Sequence, residues 1–234
     1  MSTIMTTRPM NTDNQTPPVG FIPALRFHAL TRLYDPVVRV TTRELSIKRR
    51  LVAGLGQGVQ SVLDLGSGTG TLLNLVRSAY PEAKLVGLDA DPRIIALARA
   101  KVQSDVELVH GDATNPPFDP RSFDRVVSSL VLHHLTREQK LRALSAARAL
   151  LNDNGELHIA DWSSPHDVVM RGMFLVVQLL DGFETTRDNV RGDLPELIRD
   201  AGFGDVVETY RQRTPFGSMA IYRAHLRTAD GEAR

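Results

Sequence analysis

Val62-Leu63-Asp64-Leu65-Gly66-Ser67-Gly68-Thr69-Gly70 is an apolar run that enters a glycine-rich turn, and Leu72, Leu73, Leu75 and Val76 follow it at helical spacing. Strand, bare turn and helix start, in that order, make a ligand cradle. Without side chains the turn lets a ligand lie against backbone, and the helix offers free N–H groups and partial positive charge to a carboxylate or phosphate. A dinucleotide site asks for G-x-G-x-x-G. Here the third glycine falls one residue early, at Gly70, and the sixth position is Thr71. Asp64 at the strand end would repel a pyrophosphate but suits an ammonium group, which points to an amino-acid-containing nucleoside.

Downstream, short apolar or β-branched runs alternate with helical patterns, the layout of βα units in a parallel sheet. Strands are expected at 61–65, 84–89, 106–110, 123–129 and 155–161. Asp91-Pro92 and Thr136 with Gln139 are helix starts, the second a capping box. Thr41-Thr42-Arg43-Glu44 caps a helix running to Leu55, stopped by the glycines at 54, 56 and 58. Leu194 to Ala201 reads as a helix ended by Gly202, and 204–213 with 218–226 as a hairpin through Pro215-Phe216-Gly217. The second strand ends on Asp89, placed to accept hydrogen bonds from two ribose hydroxyls, with Asp91 supplying the helix cap and leaving Asp89 free. The third ends His110-Gly111-Asp112-Ala113, where a carboxylate can accept from an exocyclic amine and a backbone N–H can meet a ring nitrogen. Either acid alone reads as a plain turn. Three acids at successive strand ends, on the edge where open α/β sheets bind ligands, do not.

A chain of 234 residues is long enough for one large core. With 28 Lys plus Arg against 27 Asp plus Glu, no general attraction to nucleic acid or anionic membrane is expected. No cysteine is present, which excludes disulfides, Cys-based metal centres and thiol nucleophiles. Residues 1–20, rich in Thr, Asn, Gln and Pro, read as a disordered leader without the apolar core of a secretory signal, so a cytoplasmic location is expected. The longest apolar stretch, Val168 to Leu180, is broken by Arg171 and Gln178 and falls short of the roughly 20 residues of a membrane span. Apolar on more than one face, it should be covered on most sides; it could be plain core, line a lipophilic pocket or form a homodimer contact. Arg187, Asn189 and Arg191 beyond it read as a pocket rim or a solvated loop.

Taken in order, Asp64 to Gly70, Gly87-Leu88-Asp89-Ala90-Asp91-Pro92, Gly111-Asp112-Ala113, Phe123-Asp124 through Leu130 to Leu135, and Leu150-Leu151 through Gly155 to Asp161 resemble the ordered motifs of class I S-adenosylmethionine-dependent methyltransferases, over roughly residues 30 to 226. Within that class the chain looks most like the branch of ubiquinone and menaquinone biosynthesis methyltransferases. The resemblance implies a Rossmann-like α/β three-layer sandwich whose seven-stranded, mostly parallel sheet ends in an antiparallel strand. It implies one methyltransferase domain over 21–234, with N-terminal cap helices in 21–60 and an inserted acceptor-site or lid segment at 162–193. It also implies S-adenosylmethionine as cofactor and S-adenosylhomocysteine as product. Asp64, Gly66, Ser67, Gly68 and Gly70 would lie at the methionine tail, Asp89 at the ribose, Asp112 and Ala113 at the adenine, and Ser129 and Leu130 beside the cofactor, with Ala90 also among the cofactor-binding residues.

Methyl transfer needs alignment first and a base only where the acceptor must lose a proton. The candidates lie just beyond the fourth and fifth strands: His133, His134, Asp161 and Trp162. Tyr34 joins them, since a tyrosine of this segment closes over cofactor and acceptor in the enzymes resembled. Adjacent histidines are expected to point apart, so no metal site is expected, and either histidine serves equally well as a base or as a packing group. The quinone enzymes carry Arg-Asn where this chain has His133-His134, and Asn where it has Val38 after Tyr34-Asp35. The expected activity is therefore methylation at O, N or C of a small apolar or aromatic molecule, with nucleic-acid and protein substrates disfavoured. A nicotinamide oxidoreductase would need the longer glycine spacing. A nonenzymatic adenosyl-ligand-binding protein shares every cofactor motif, and arsenite methylation is excluded by the missing thiolates.

Overall fold

The computed structural model describes residues 44–227. Tyr34, the 1–20 leader and the start of the helix expected from Thr41 lie outside them. The elements run α1 (Glu44–Ala53), β1 (Ser61–Leu65), α2 (Thr71–Ala79), β2 (Lys84–Asp89), α3 (Pro92–Arg99), β3 (Glu107–His110), β4 (Phe123–Ser129), a 3-10 turn (Leu132–His134), α4 (Arg137–Leu150), β5 (Leu151–Ser163), α5 (Val168–Asp181), α6 (Phe183–Arg191), α7 (Leu194–Asp200), β6 (Phe203–Thr214) and β7 (Gly217–Leu226). Among the described residues, seven strands form one sheet in the order β3-β2-β1-β4-β5-β7-β6. The first five pair in parallel, and β7 runs antiparallel to both β5 and β6. The expected strand at 61–65 and its four parallel neighbours are thus in place, although β5 continues to Ser163.

Alternation along each strand divides the core between the two faces of the sheet. Leu63, Leu65, Val86, Leu88 and Leu157 pack with Leu144, Leu150, Leu197 and Phe203 on one face. Val62, Leu85, Val127 and Trp162 pack with Ile47, Leu51, Leu72, Leu73 and Phe174 on the other. Helices on both faces complete the three layers. The start signals work as read: Asp91 accepts from the Arg93 N–H, and Thr136 and Gln139 bond reciprocally.

Two expectations fail in the segment after β5. Helix α5 is covered on one stripe only, through Met170, Phe174, Val177 and Gln178, while Val168, Val169 and Leu179 are 69% or more exposed. One stripe at i, i+4, i+7 suffices to seat a helix on a sheet, so the second apolar face is surplus to packing. The polar stretch carrying Arg187, Asn189 and Arg191 is not a loop but α6, and it buries Thr185, Thr186, Asp188 and Asn189. Among the described residues no helix is long and apolar enough to cross a membrane.

Candidate active site

Every parallel strand delivers its last residues to one edge of the sheet. At β1, Asp64 is 1% exposed, and among the described residues neither carboxylate oxygen has a hydrogen-bond partner. Burial pushes its pKa up to about 7; Lys48 opposes that rise and the charge of Asp89 adds to it. The Ser67 and Ser129 hydroxyls are likewise buried and unpaired among these residues. Buried polar atoms are normally satisfied, so three such groups at one edge mark a place for a polar ligand.

The loop between β1 and α2 keeps Gly66, Gly68 and Gly70 at φ of 73°, 54° and 78°. A Cβ on Gly66 would meet Val131 at 2.3 Å and one on Gly70 would meet Val102 at 2.4 Å, whereas at Gly68 nothing described lies within 4 Å. The first and third glycines are thus required by protein packing, and the second faces open space. Gly66 and Ser67 donate to the Leu88 carbonyl, which ties this loop to the end of β2. Asp89 is not free, as the cap at Asp91 had suggested. Its Oδ2 accepts the Gly68 N–H at 2.9 Å and its Oδ1 accepts the Asp91 N–H at 3.0 Å, so it also shapes the glycine loop. Asp112 is exposed and accepts the Thr114 N–H at 2.8 Å, the plain turn weighed against the adenine reading. Ala90 is half-buried between Asp89 and Asp91, and Ala113 is half-buried against the core. Leu130, just past β4, holds φ of 60°, a strained value for a leucine.

Beyond β4 and β5 the Asp161 carboxylate and the His133 ring are paired, although Asn189 Oδ1 is buried without a partner among the described residues. Asp161 Oδ2 accepts the Leu132 N–H at 2.8 Å, and Oδ1 accepts the Trp162 N–H at 2.7 Å and the Asn189 side-chain amide at 3.3 Å. His133 Nδ1 lies 2.8 Å from the same Oδ1. Burial would raise the Asp161 pKa, but the His133 charge and these hydrogen bonds outweigh it and hold the carboxyl below its ordinary range. Burial would lower the His133 pKa, but Asp161 and then Asp181 reverse that, and it is raised. His134 is pushed down, by burial first and by His133 next.

The two imidazoles do not point apart. In the tight 3-10 turn their ring centroids are 3.9 Å apart at a tilt of 42°. Asp181, the last residue of α5, brings Oδ2 to 3.8 Å from His133 Nε2 and Oδ1 to 3.9 Å from His134 Nδ1. Trp162 stands edge-on to His133 at 6.5 Å and to Phe174 at 5.4 Å.

Residues 62–155 match the family described as a methyltransferase domain. Over 143 residues the chain is 29% identical to the demethylmenaquinone methyltransferase of Thermotoga maritima, an alignment covering 60% of this chain and 61% of that relative. The chain thus carries a methyltransferase domain and is similar to the class I S-adenosylmethionine-dependent methyltransferases. It spans about six-tenths of that curated relative's length. Among solved structures, the S-adenosylmethionine-dependent methyltransferase SibL superposes with a TM-score of 0.60 at 20% identity, covering 88% of this chain and 60% of that one. PigF with S-adenosylhomocysteine gives 0.61 at 19% identity, over 75% of this chain and 53% of its own. At such identity the structures establish the fold.

The donor set at β1 and β2 fits S-adenosylmethionine: a buried carboxylate with no partner among the described residues for an ammonium, and a glycine with no described neighbour within 4 Å of its Cβ position where backbone must meet ligand. Three of the candidates singled out in the sequence, His133, His134 and Asp161, meet in one cluster, whereas Asp181, Asn189, Lys140 and Asp188 were missed. Lys140 is fully buried, donating to Asp188 at 2.9 Å and to the Thr185 carbonyl, and Arg137 donates to the same Asp188. That network fixes α6, whose Asn189 holds Asp161 and the Trp162 carbonyl. A signal existed: Lys140 occupies the apolar stripe of α4 with Ala143, Leu144 and Ala147, where a charge needs a buried partner.

Proposed function

We propose that this methyltransferase transfers the methyl group of S-adenosylmethionine to a small acceptor with an apolar or aromatic body, at an oxygen, nitrogen or carbon set against His133, His134 and Asp161. The observation that carries the reading is Asp64, a buried carboxylate without a partner among the described residues where an ammonium would be received. When bound, S-adenosylmethionine supplies an electrophilic methyl group on a sulfonium, and displacement at such a carbon asks mainly for alignment.

The residues divide that work. Asp64 would hold the ammonium, with the Ser67 hydroxyl and the backbone around Gly68 along the same tail. Asp89, already bonded to the Gly68 N–H, would couple ribose binding to the shape of the loop. Asp112 and Ala113 would serve the adenine, and Ser129 and Leu130 would stand beside the reacting centre. On the acceptor side, Asp161 sets the His133 ring and the backbone of the turn in one geometry. The 162–193 segment, with Trp162 and the uncovered side of α5, would supply the apolar wall.

Calorimetry with S-adenosylhomocysteine, then a screen for its production over phenols, amines and demethylated quinones, tests the proposal. Binding with turnover of one acceptor class supports it. A demethylated quinone as that class would extend to this chain what the Thermotoga maritima relative's name states. Stabilisation by NADH and not by S-adenosylhomocysteine would overturn the cofactor reading, and binding without turnover across the library would favour a nonenzymatic adenosyl-ligand protein.

A further inference from the structure

We infer that His133, His134 and Asp181 form a binding site for a divalent transition metal, with zinc the best match to the ligand chemistry. One ligand atom from each of the three residues lies within 4.8 Å of the other two; His133 Nε2 is 3.8 Å from Asp181 Oδ2, and His134 Nδ1 is 3.9 Å from the other oxygen, Oδ1. Metal–nitrogen and metal–oxygen bonds of about 2.0–2.2 Å in a tetrahedral arrangement set ligand atoms roughly 3.4 Å apart, so the widest separation has to contract by up to about 1.4 Å to close the site, a movement within reach of side-chain rotation. Two imidazoles and a carboxylate are a ligand set for zinc or its transition-metal neighbours rather than for magnesium or calcium, which take oxygen.

Three further features agree. His133 Nδ1 is taken by Asp161, so the ring's remaining nitrogen is the one turned to Asp181; a carboxylate behind a histidine is the usual support of a metal-bound imidazole. That support is itself anchored, since Asp161 also accepts from Leu132, Trp162 and Asn189. Asp181 occupies the last position of α5, which sets its carboxylate beside the 3-10 turn that carries both rings. The site is also reachable, because the His134 side chain is 36% exposed and that of Asp181 19%.

Three protein ligands leave positions for water or for an acceptor oxygen or nitrogen. That use of the open positions rests on the methyl-transfer reading; the metal site itself does not. The test is titration of the untagged full chain with Co2+, read by its visible ligand-field spectrum, and with Zn2+ by calorimetry. One equivalent should bind, and Asp181→Asn and His134→Gln should each weaken it tenfold or more. His166→Gln, which alters a histidine bonded to Ser218 and not to this cluster, should change nothing. S-adenosylhomocysteine affinity, measured on the same samples, should be unaltered in all three variants; no binding by the wild type and the variants alike would sink the cofactor reading and leave the metal result standing. No Co2+ spectrum in metal excess, or one unaltered by both Asp181→Asn and His134→Gln, overturns the site.

Discussion

Asp64 and Asp161 end parallel strands on the same edge of one sheet, and each is at most 1% exposed. Yet Asp64 has no hydrogen-bond partner among the described residues and its pKa rises to about 7, whereas Asp161 takes four donors and its pKa falls. The same residue type at the same depth therefore does opposite work. Asp64 stores a desolvation penalty that a bound cation would relieve, and Asp161 spends its lone pairs on holding a turn, a ring and a helix together. Between them the sheet edge holds one carboxylate that the described residues leave unpaired and one that they satisfy.

The strongest way to break that contrast is to remove each carboxylate. Asp161→Ala strands the Leu132 and Trp162 N–H groups and the His133 ring in a dry interior, and should cost about 3–5 kcal/mol in urea unfolding of the apo chain. A loss under about 1 kcal/mol would mean that Asp161 is not the keystone described here.

Asp64→Asn should act in the other direction on stability. Folding raises the Asp64 pKa from 3.8 to about 7, so the folded state binds the proton more tightly than the unfolded state does. Its contribution to stability therefore declines as pH rises through that window, by on the order of 4 kcal/mol when complete, and stays lost above it. Removing the charge should flatten this slope and stabilise the apo chain under alkaline conditions. The same variant should bind S-adenosylhomocysteine at least tenfold more weakly. Equal pH profiles for variant and wild type would show that Asp64 is paired in solution.

Asp89→Ala is intermediate, because Asp89 belongs to both halves of the contrast: it is bonded to the Gly68 and Asp91 N–H groups and still turned to the ligand edge. Adenosyl-ligand affinity should fall by about 1–2 kcal/mol, the scale of a charge-assisted hydrogen bond. An unchanged dissociation constant would detach the end of β2 from the site.

The two halves also differ in how far the sequence discloses them. The cofactor half is built from local rules: β1, its glycine turn and the start of α2 are contiguous, and Asp91-Pro92 and Thr136 with Gln139 carry their meaning within four residues. The half proposed to receive the acceptor is assembled from 132–134, 161–162, 181 and 185–189, segments whose meeting depends on how α5 and α6 fold back on β5. Lys140 and Asp188, 48 positions apart, form a buried pair that neither neighbourhood announces. His133 and His134 were expected to diverge because that expectation used extended or α-helical geometry, and a single 3-10 turn brought the rings together. Asp89 was read for its ligand and not for its backbone bonds, since a hydrogen bond to Gly68, 21 residues earlier, leaves no local mark.

The smallest effect on stability tests the open half most directly. Gly68 has a left-handed φ of 54° but no described neighbour within 4 Å of where a Cβ would stand. Gly68→Ala should therefore cost only the conformational strain of an alanine there, about 1 kcal/mol. Gly70→Ala adds a 2.4 Å clash with Val102 to the same kind of strain and should cost more. If the space over Gly68 belongs to the ligand, the cheap substitution should be the damaging one for binding: a methyl group would occupy the surface that the adenosyl ligand must approach. The expected pattern is a small shift in melting temperature and a loss of S-adenosylhomocysteine affinity of tenfold or more for Gly68→Ala. If Gly68→Ala binds as tightly as wild type, the ligand lies elsewhere, and the unpaired Asp64 must be explained without it.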